Sequence, residues 1–183
     1  GDQPLVMEVL DGAGKVVRRL TSAAPPRAGA GAVPGVRLPA SAGLNRFAWD
    51  LRTAPIDTVP AQYINGNLQG YRVGPGTYRV RLTLGTHTAE QALRVLPDPR
   101  TSLTEAAFVE QQTLLATIHA RVGEIHRRVV TLRDLRDQAN AIVERNARHP
   151  QAAAIREVAG NLTAALTAWE DEAIQSRQKT FQD

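Results

Sequence analysis

The chain has 183 residues, of which 43% are hydrophobic, enough to build one ordinary core or two small ones, so disorder is excluded as its default state. It has no cysteine, which excludes disulfides, thiolate zinc sites and cysteine nucleophiles. Its net charge of +4 is scattered, with 11 basic and 6 acidic side chains in residues 1–97 and 11 and 12 in residues 98–183; no basic run with interleaved aromatics marks a nucleic-acid surface, and no apolar window is long enough to span a membrane.

The first half reads with period two. PLVMEVLD (4–11), the turn residues DGAG (11–14) and KVVRRL (15–20) predict a β-hairpin. Residues 21–42, rich in Pro, Gly and Ala, predict a long connection. GLNRFAWDLR (43–52) then alternates Phe47, Trp49 and Leu51 with Arg46, Ala48 and Asp50, the pattern of a core strand. After a second irregular stretch (53–75), TYRVRLTL (77–84) gives the cleanest strand signal, with Tyr78, Val80, Leu82 and Leu84 on one face. GTHT turns the chain, and AEQALRVL (89–96) pairs back before PDPR stops it. Short strands with turns and no intervening helix predict a small antiparallel sandwich of the immunoglobulin or fibronectin type III kind over residues 1–98, with one or two further strands hidden in the irregular stretches.

Residues 99–183 read with the helical period. Ser102 with Glu105 fits a capping box, and Thr104 offers another cap. Apolar residues then recur at threes and fours from Phe108 to Ile142, predicting a helix over about 103–146. NARHP breaks it, and Ile155, Val158, Leu162, Leu166, Trp169 and Ala173 mark a second helix over about 150–177 that folds back as an antiparallel hairpin. Two helices cover each other's apolar stripes only in part, so a third helix, another domain or another copy is expected on them, and the chain reads as a truncated piece of a longer protein. The fold class is therefore α+β in two parts, with Phe47, Trp49, Leu51, Tyr78, Val80, Leu82 and Trp169 as expected core residues.

Little in the chain points to catalysis. Asp50 and Asp57 are the only acids near the aromatic segment, and glycoside cleavage needs a matched pair of carboxyl groups; Asp50 beside Arg46 and Arg52 is better read as binding backbone N–H groups or pairing with an arginine. His119 and His126 stand seven apart, whereas helical metal pairs stand three or four apart with a carboxylate nearby. No catalytic residue, metal ligand or cofactor site is assigned. Tyr63, Asn65, Asn67 and Tyr71, in QYINGNLQGY, are the candidate recognition surface, since aromatic and amide side chains on a loop suit sugars and peptides; the alternative is that the tyrosines only cover the sandwich edge.

Taken in order, VLDGAGKVVR (9–18), GLNRFAWDLR (43–52), GPGTYRVRL (74–82) and VLPDPR (95–100), followed by a long helix, resemble the C-terminal region of bacterial secreted β-propeller proteins with sortilin-like or BNR (Asp-box) repeats, often labelled glycosyl hydrolases. The β half also resembles the immunoglobulin-like domain of the flagellar hook-capping protein, with Trp49 and Tyr78 at the matching positions. The resemblance implies a secreted or periplasmic accessory module that follows a propeller, braces it or mediates assembly, and carries no catalytic residue of its own. It also implies partners: the upstream propeller, a further helix on the hairpin, or a second copy. Two alternatives stay open, a carbohydrate- or peptide-binding accessory module and a fragment that lends Asp57 or Arg72 to a site on the propeller.

Overall fold

The computed structural model describes residues 3–24, 36–63 and 66–176, in which a four-stranded antiparallel sheet is followed by two helices. The strands are β1 (Leu5–Leu10), β2 (Val16–Thr21), β3 (Gly76–Leu84) and β4 (His87–Val95), hydrogen-bonded in the order β2-β1-β3-β4. The helices are α1 (Glu105–Arg145) and α2 (Ala152–Ala173).

The described residues form two compact units, one of 3–24, 36–56 and 67–120, the other of 57–63, 66 and 121–176. The expected boundary at 98 to 99, where the hydrophobic period changes, lies inside the first of these units. The first turns of α1 go with the sheet because Gln112 donates to the Arg72 carbonyl (3.2 Å) and His119 bonds the Ala54 carbonyl (2.9 Å). Residues 57–63 go with the helices because side chains of α1 hold their backbone.

In the first unit, β1 and β2 are joined by the predicted turn: Asp11 Oδ1 accepts from the N–H of Ala13 (3.0 Å) and Lys15 (2.9 Å), and Gly14 takes the left-handed φ of 83°. One face of the sheet supplies the core, in which Met7, Leu20 and Leu38 are buried with Leu5, Phe47 and Val80 packed on them. The other face carries charges in cross-strand register. Glu8 pairs with Arg19 (3.9 Å) and Arg81 (3.5 Å), and Glu90 pairs with Arg81 (2.6 Å) and Arg79 (3.5 Å). Among the described residues there is one sheet, and Leu82, expected in the core, is 40% exposed on the core-forming face because no second layer covers that end.

Residues 43–52 are not a strand, which corrects the alternation reading. Their polar side chains bond the local backbone instead: Asn45 with Ser41 and Gly43, Asp50 Oδ1 with the Arg52 N–H (3.1 Å), and the Trp49 indole N–H with the Arg52 carbonyl (3.0 Å). Leu51 sits at φ 60° and is 37% exposed rather than in the core. Phe47 does reach the core cluster, and half-buried Trp49 meets Tyr78 edge to face with centroids 6.1 Å apart. One backbone bridge, Arg52 to Arg72, ties the end of the segment to the 66–75 loop.

Thr104, not Ser102, caps α1: its Oγ1 accepts from the Ala107 N–H at 3.2 Å. In the second unit, α1 and α2 form an antiparallel hairpin, since Arg133 meets Glu170 and Arg136 meets both Thr167 and Glu170. The buried face of α1 there is Gly123, His126, Val129, Leu132 and Ala139, and Val59 of the preceding loop is fully buried as well. Trp169, expected to be buried, is 40% exposed, because the residue next to it, Glu170, takes the inward position at 3% exposure.

Candidate functional site

The first unit holds an open groove of about 830 Å³. Its walls are the β1–β2 turn, residues 53–54, the 71–75 loop with the start of β3, the end of β4 and the first four turns of α1. Each wall is fixed by bonds already described or adjoining them. The loop is pinned where Thr53 N–H donates to the Tyr71 carbonyl (2.9 Å) and Val73 N–H to the Leu51 carbonyl (2.8 Å). Gly74 is buried against α1, where a Cβ would stand 3.0 Å from Gln112 Cγ.

Aromatic and apolar groups dominate the lining. Tyr71 packs edge to face on His119, centroids 5.6 Å apart, and Phe108, Val109, Leu96 and Leu103 add apolar surface. Tyr78 donates its hydroxyl to the Gly74 carbonyl at 2.8 Å. Both phenols are held above the ordinary 10.0, first by burial and then by the negative charge of Asp11, with Tyr71 adding to the effect on Tyr78. They are neutral at physiological pH and serve as donors and stacking surfaces, not as bases. His119 meets the Ala54 carbonyl through Nε2, and a carbonyl only accepts, so Nε2 carries the proton. Asp11 is occupied with its turn. Among the described residues no group of three His, Cys, Asp or Glu is gathered that could hold a metal ion.

Of the four residues of the predicted recognition loop, Asn67 and Tyr71 belong to the first unit. Tyr71 lines the groove. Asn67 is exposed and closes an Asx turn, its Oδ1 accepting from the Gln69 N–H at 3.0 Å. Tyr63 is half-buried and belongs to the second unit, and Asn65 lies outside the described residues. Of the two residues considered for lending chemistry to a neighbour, Arg72 is exposed in the first unit. Asp57 is in the second unit, where its side chain pairs with Arg127 (3.2 Å) and its carbonyl accepts from His126 Nδ1 (2.6 Å). The sequence reading missed Phe108, Gln112 and His119 as groove residues. The available signal was that α1 begins with a run of apolar residues well before the stretch α2 can reach.

No protein family, curated protein or solved structure matches this chain.

Proposed function

We propose that the chain is a non-catalytic interaction module, the C-terminal part of a secreted or periplasmic bacterial β-propeller protein, which braces the propeller or mediates assembly. The sheet is then one layer of an immunoglobulin-like sandwich. One observation carries the non-catalytic half of this reading: the polar side chains around the groove are spent on backbone carbonyls and N–H groups. Tyr78, Gln112 and His119 each hold a carbonyl, and Asp11 holds two N–H groups, so these groups position loops instead of converging on a reacting atom. The sequence resemblance supports the propeller, the location and the missing covering element.

The experiment compares the parent protein with a version lacking residues 1–183. Turnover per active site should be unchanged while thermal stability or association falls; lost turnover in a folded propeller overturns the reading.

A second reading is favoured by the Tyr71 and His119 pair with Phe108 beside it. Aromatic faces on a groove of this size fit a sugar ring or an extended peptide, which makes the module a carbohydrate- or peptide-binding accessory. Tyr71→Ala and Phe108→Ala should then abolish binding in a glycan or peptide panel; unchanged binding overturns it.

A further inference from the structure

The two edges of the sheet are treated differently. On β2 the outward backbone is occupied: Leu38 N–H donates to the Thr21 carbonyl (3.0 Å) and Ala54 N–H to the Val17 carbonyl (2.9 Å). Among the described residues β4 has no backbone partner other than β3.

Which of its groups point outward follows from register. Ser22 N–H donates to the Leu5 carbonyl (2.9 Å), so Leu5, Met7 and Val9 turn their backbone to β2, and Val6, Glu8 and Leu10 turn theirs to β3. Those three oppose Thr83, Arg81 and Arg79, so the even residues of β3 face β4. Their partners on β4 are His87, Ala89, Gln91, Leu93 and Val95. The backbone N–H and C=O groups of Thr88, Glu90, Ala92 and Arg94 are left facing outward along a nine-residue strand. Such an edge is a template for another strand.

Its charges select the occupant. An antiparallel copy of β4 can align in several registers that match outward groups to outward groups. Centring on Glu90 or on Arg94 sets like charges opposite each other. Centring on Ala92 places Glu90 of each copy opposite Arg94 of the other, twice, with the small Ala92 side chains meeting on the two-fold axis. The core-forming face then sets Ala89 opposite Val95 and Gln91 opposite Leu93. Arg94 has no ion pair within the described residues. We infer that β4 is a self-association edge, pairing antiparallel with β4 of a second copy about Ala92, so that two sheets become one of eight strands. This rests on the assembly part of the proposed function and gives it a partner, along an edge whose end, at Arg94 and Val95, also lines the groove.

The test is sedimentation of the full 183-residue chain across concentration, with amide exchange read residue by residue. A dimer is expected in which the Thr88, Glu90, Ala92 and Arg94 amides gain protection as concentration rises. Ala92→Pro removes only an outward N–H and should give a monomer with the Gln91 and Leu93 amides still protected. Glu90→Arg alone and Arg94→Glu alone should each weaken association by about tenfold, because each sets like charges across both pairs. Mixed together, the two variants present opposite charges at both pairs and should associate with each other.

A wild-type chain that stays monomeric, a dimer indifferent to Ala92→Pro, or a mixture that associates no better than either variant alone overturns the proposal. Protection of the Ala92 amide only on adding an unrelated extended peptide also overturns it, by assigning the edge to a different strand. Should Glu90→Arg disturb the sheet, Ala92→Pro and Arg94→Glu still decide. Loss of self-association with propeller binding intact separates this inference from the reading it deepens.

Discussion

Arg133 and Glu170 join α1 to α2 through a buried ion pair: the guanidinium Nε and Nη2 lie 2.7 and 2.6 Å from Glu170 Oε1. Arg136 takes the other carboxylate oxygen at 3.0 Å, and Arg133 reaches on to the Pro60 carbonyl (2.8 Å) and Gln62 Oε1 (3.1 Å). The carboxylate is almost wholly inside, whereas the two arginine side chains remain about a quarter exposed. Glu170→Ala leaves two cations without their partner and should cost on the order of 3 kcal/mol in urea unfolding. Replacing all three by Met or Leu should cost far less than the single change, because no charge is then left uncompensated.

Acid should loosen the charged face of the sheet. The Glu90 carboxyl is held below the ordinary 4.5, first by its hydrogen bond from Arg81, with the charges of Arg81 and Arg79 adding to it against a smaller desolvation effect. Folding therefore favours the ionised form. That contribution is fully present above pH 4.5 and is lost as pH falls through the lower value of the folded state. The stability difference between wild type and Arg81→Met should accordingly be constant at neutral pH and shrink below pH 4.5, as followed by denaturant titration.

Gly70 and Gly43 separate backbone strain from steric exclusion. Both have left-handed φ angles, 82° and 94°, but a Cβ at Gly70 would meet the Thr53 and Ala54 carbonyl oxygens at 2.6 Å, and one at Gly43 would meet nothing within 4 Å. Gly43→Ala should cost roughly 1–2 kcal/mol in thermal unfolding, the left-handed penalty alone. Gly70→Ala should cost more than about 3 kcal/mol, since main chain must move to admit it.

The start of α1 gives a third contrast. Thr104→Ala removes the cap on the Ala107 N–H and should lower stability by about 1 kcal/mol, while Ser102→Ala should leave it unchanged. Paired thermal melts decide it.

Within the aromatic segment, Trp49→Ala should cost about 2 kcal/mol, less than a fully buried tryptophan, since its ring is half-buried against Tyr78. Leu51→Ala should be close to neutral by the same denaturant assay.

That segment marks the limit of what the residues disclose. Alternation records which side chains face an apolar surface, as Phe47 and Trp49 do, and a strand also needs a neighbour to complete its hydrogen bonds. Here Asn45, Asp50 and the indole N–H satisfy the backbone locally, and nothing in the spacing distinguishes that from a ladder. The hairpin at Asp11, the β3–β4 pair and both helices were legible because turn chemistry and a sustained period are encoded within a few residues of one another. The groove was not. It joins Tyr71, Phe108 and His119 across about 50 positions, and only tertiary packing brings them together. Trp169 was misplaced for the opposite reason: the heptad face of α2 was read as wholly apolar, and the inward place belongs to a carboxylate with two arginines waiting for it.

The side chain of Gln62 has a consequence for synthesis. Its amide donates to the Gln175 carbonyl (2.9 Å), and its Oε1 accepts from Arg133, so this one loop residue joins α1 to the segment that follows α2. A ribosome delivers these partners 113 residues apart, and the latch cannot close until Gln175, beyond the end of α2, has left the exit tunnel. Until then Arg133 has the Pro60 carbonyl and the Gln62 side chain but not Glu170, and an expression boundary drawn at residue 99 would part Gln62 from Arg133 and Gln175 for good.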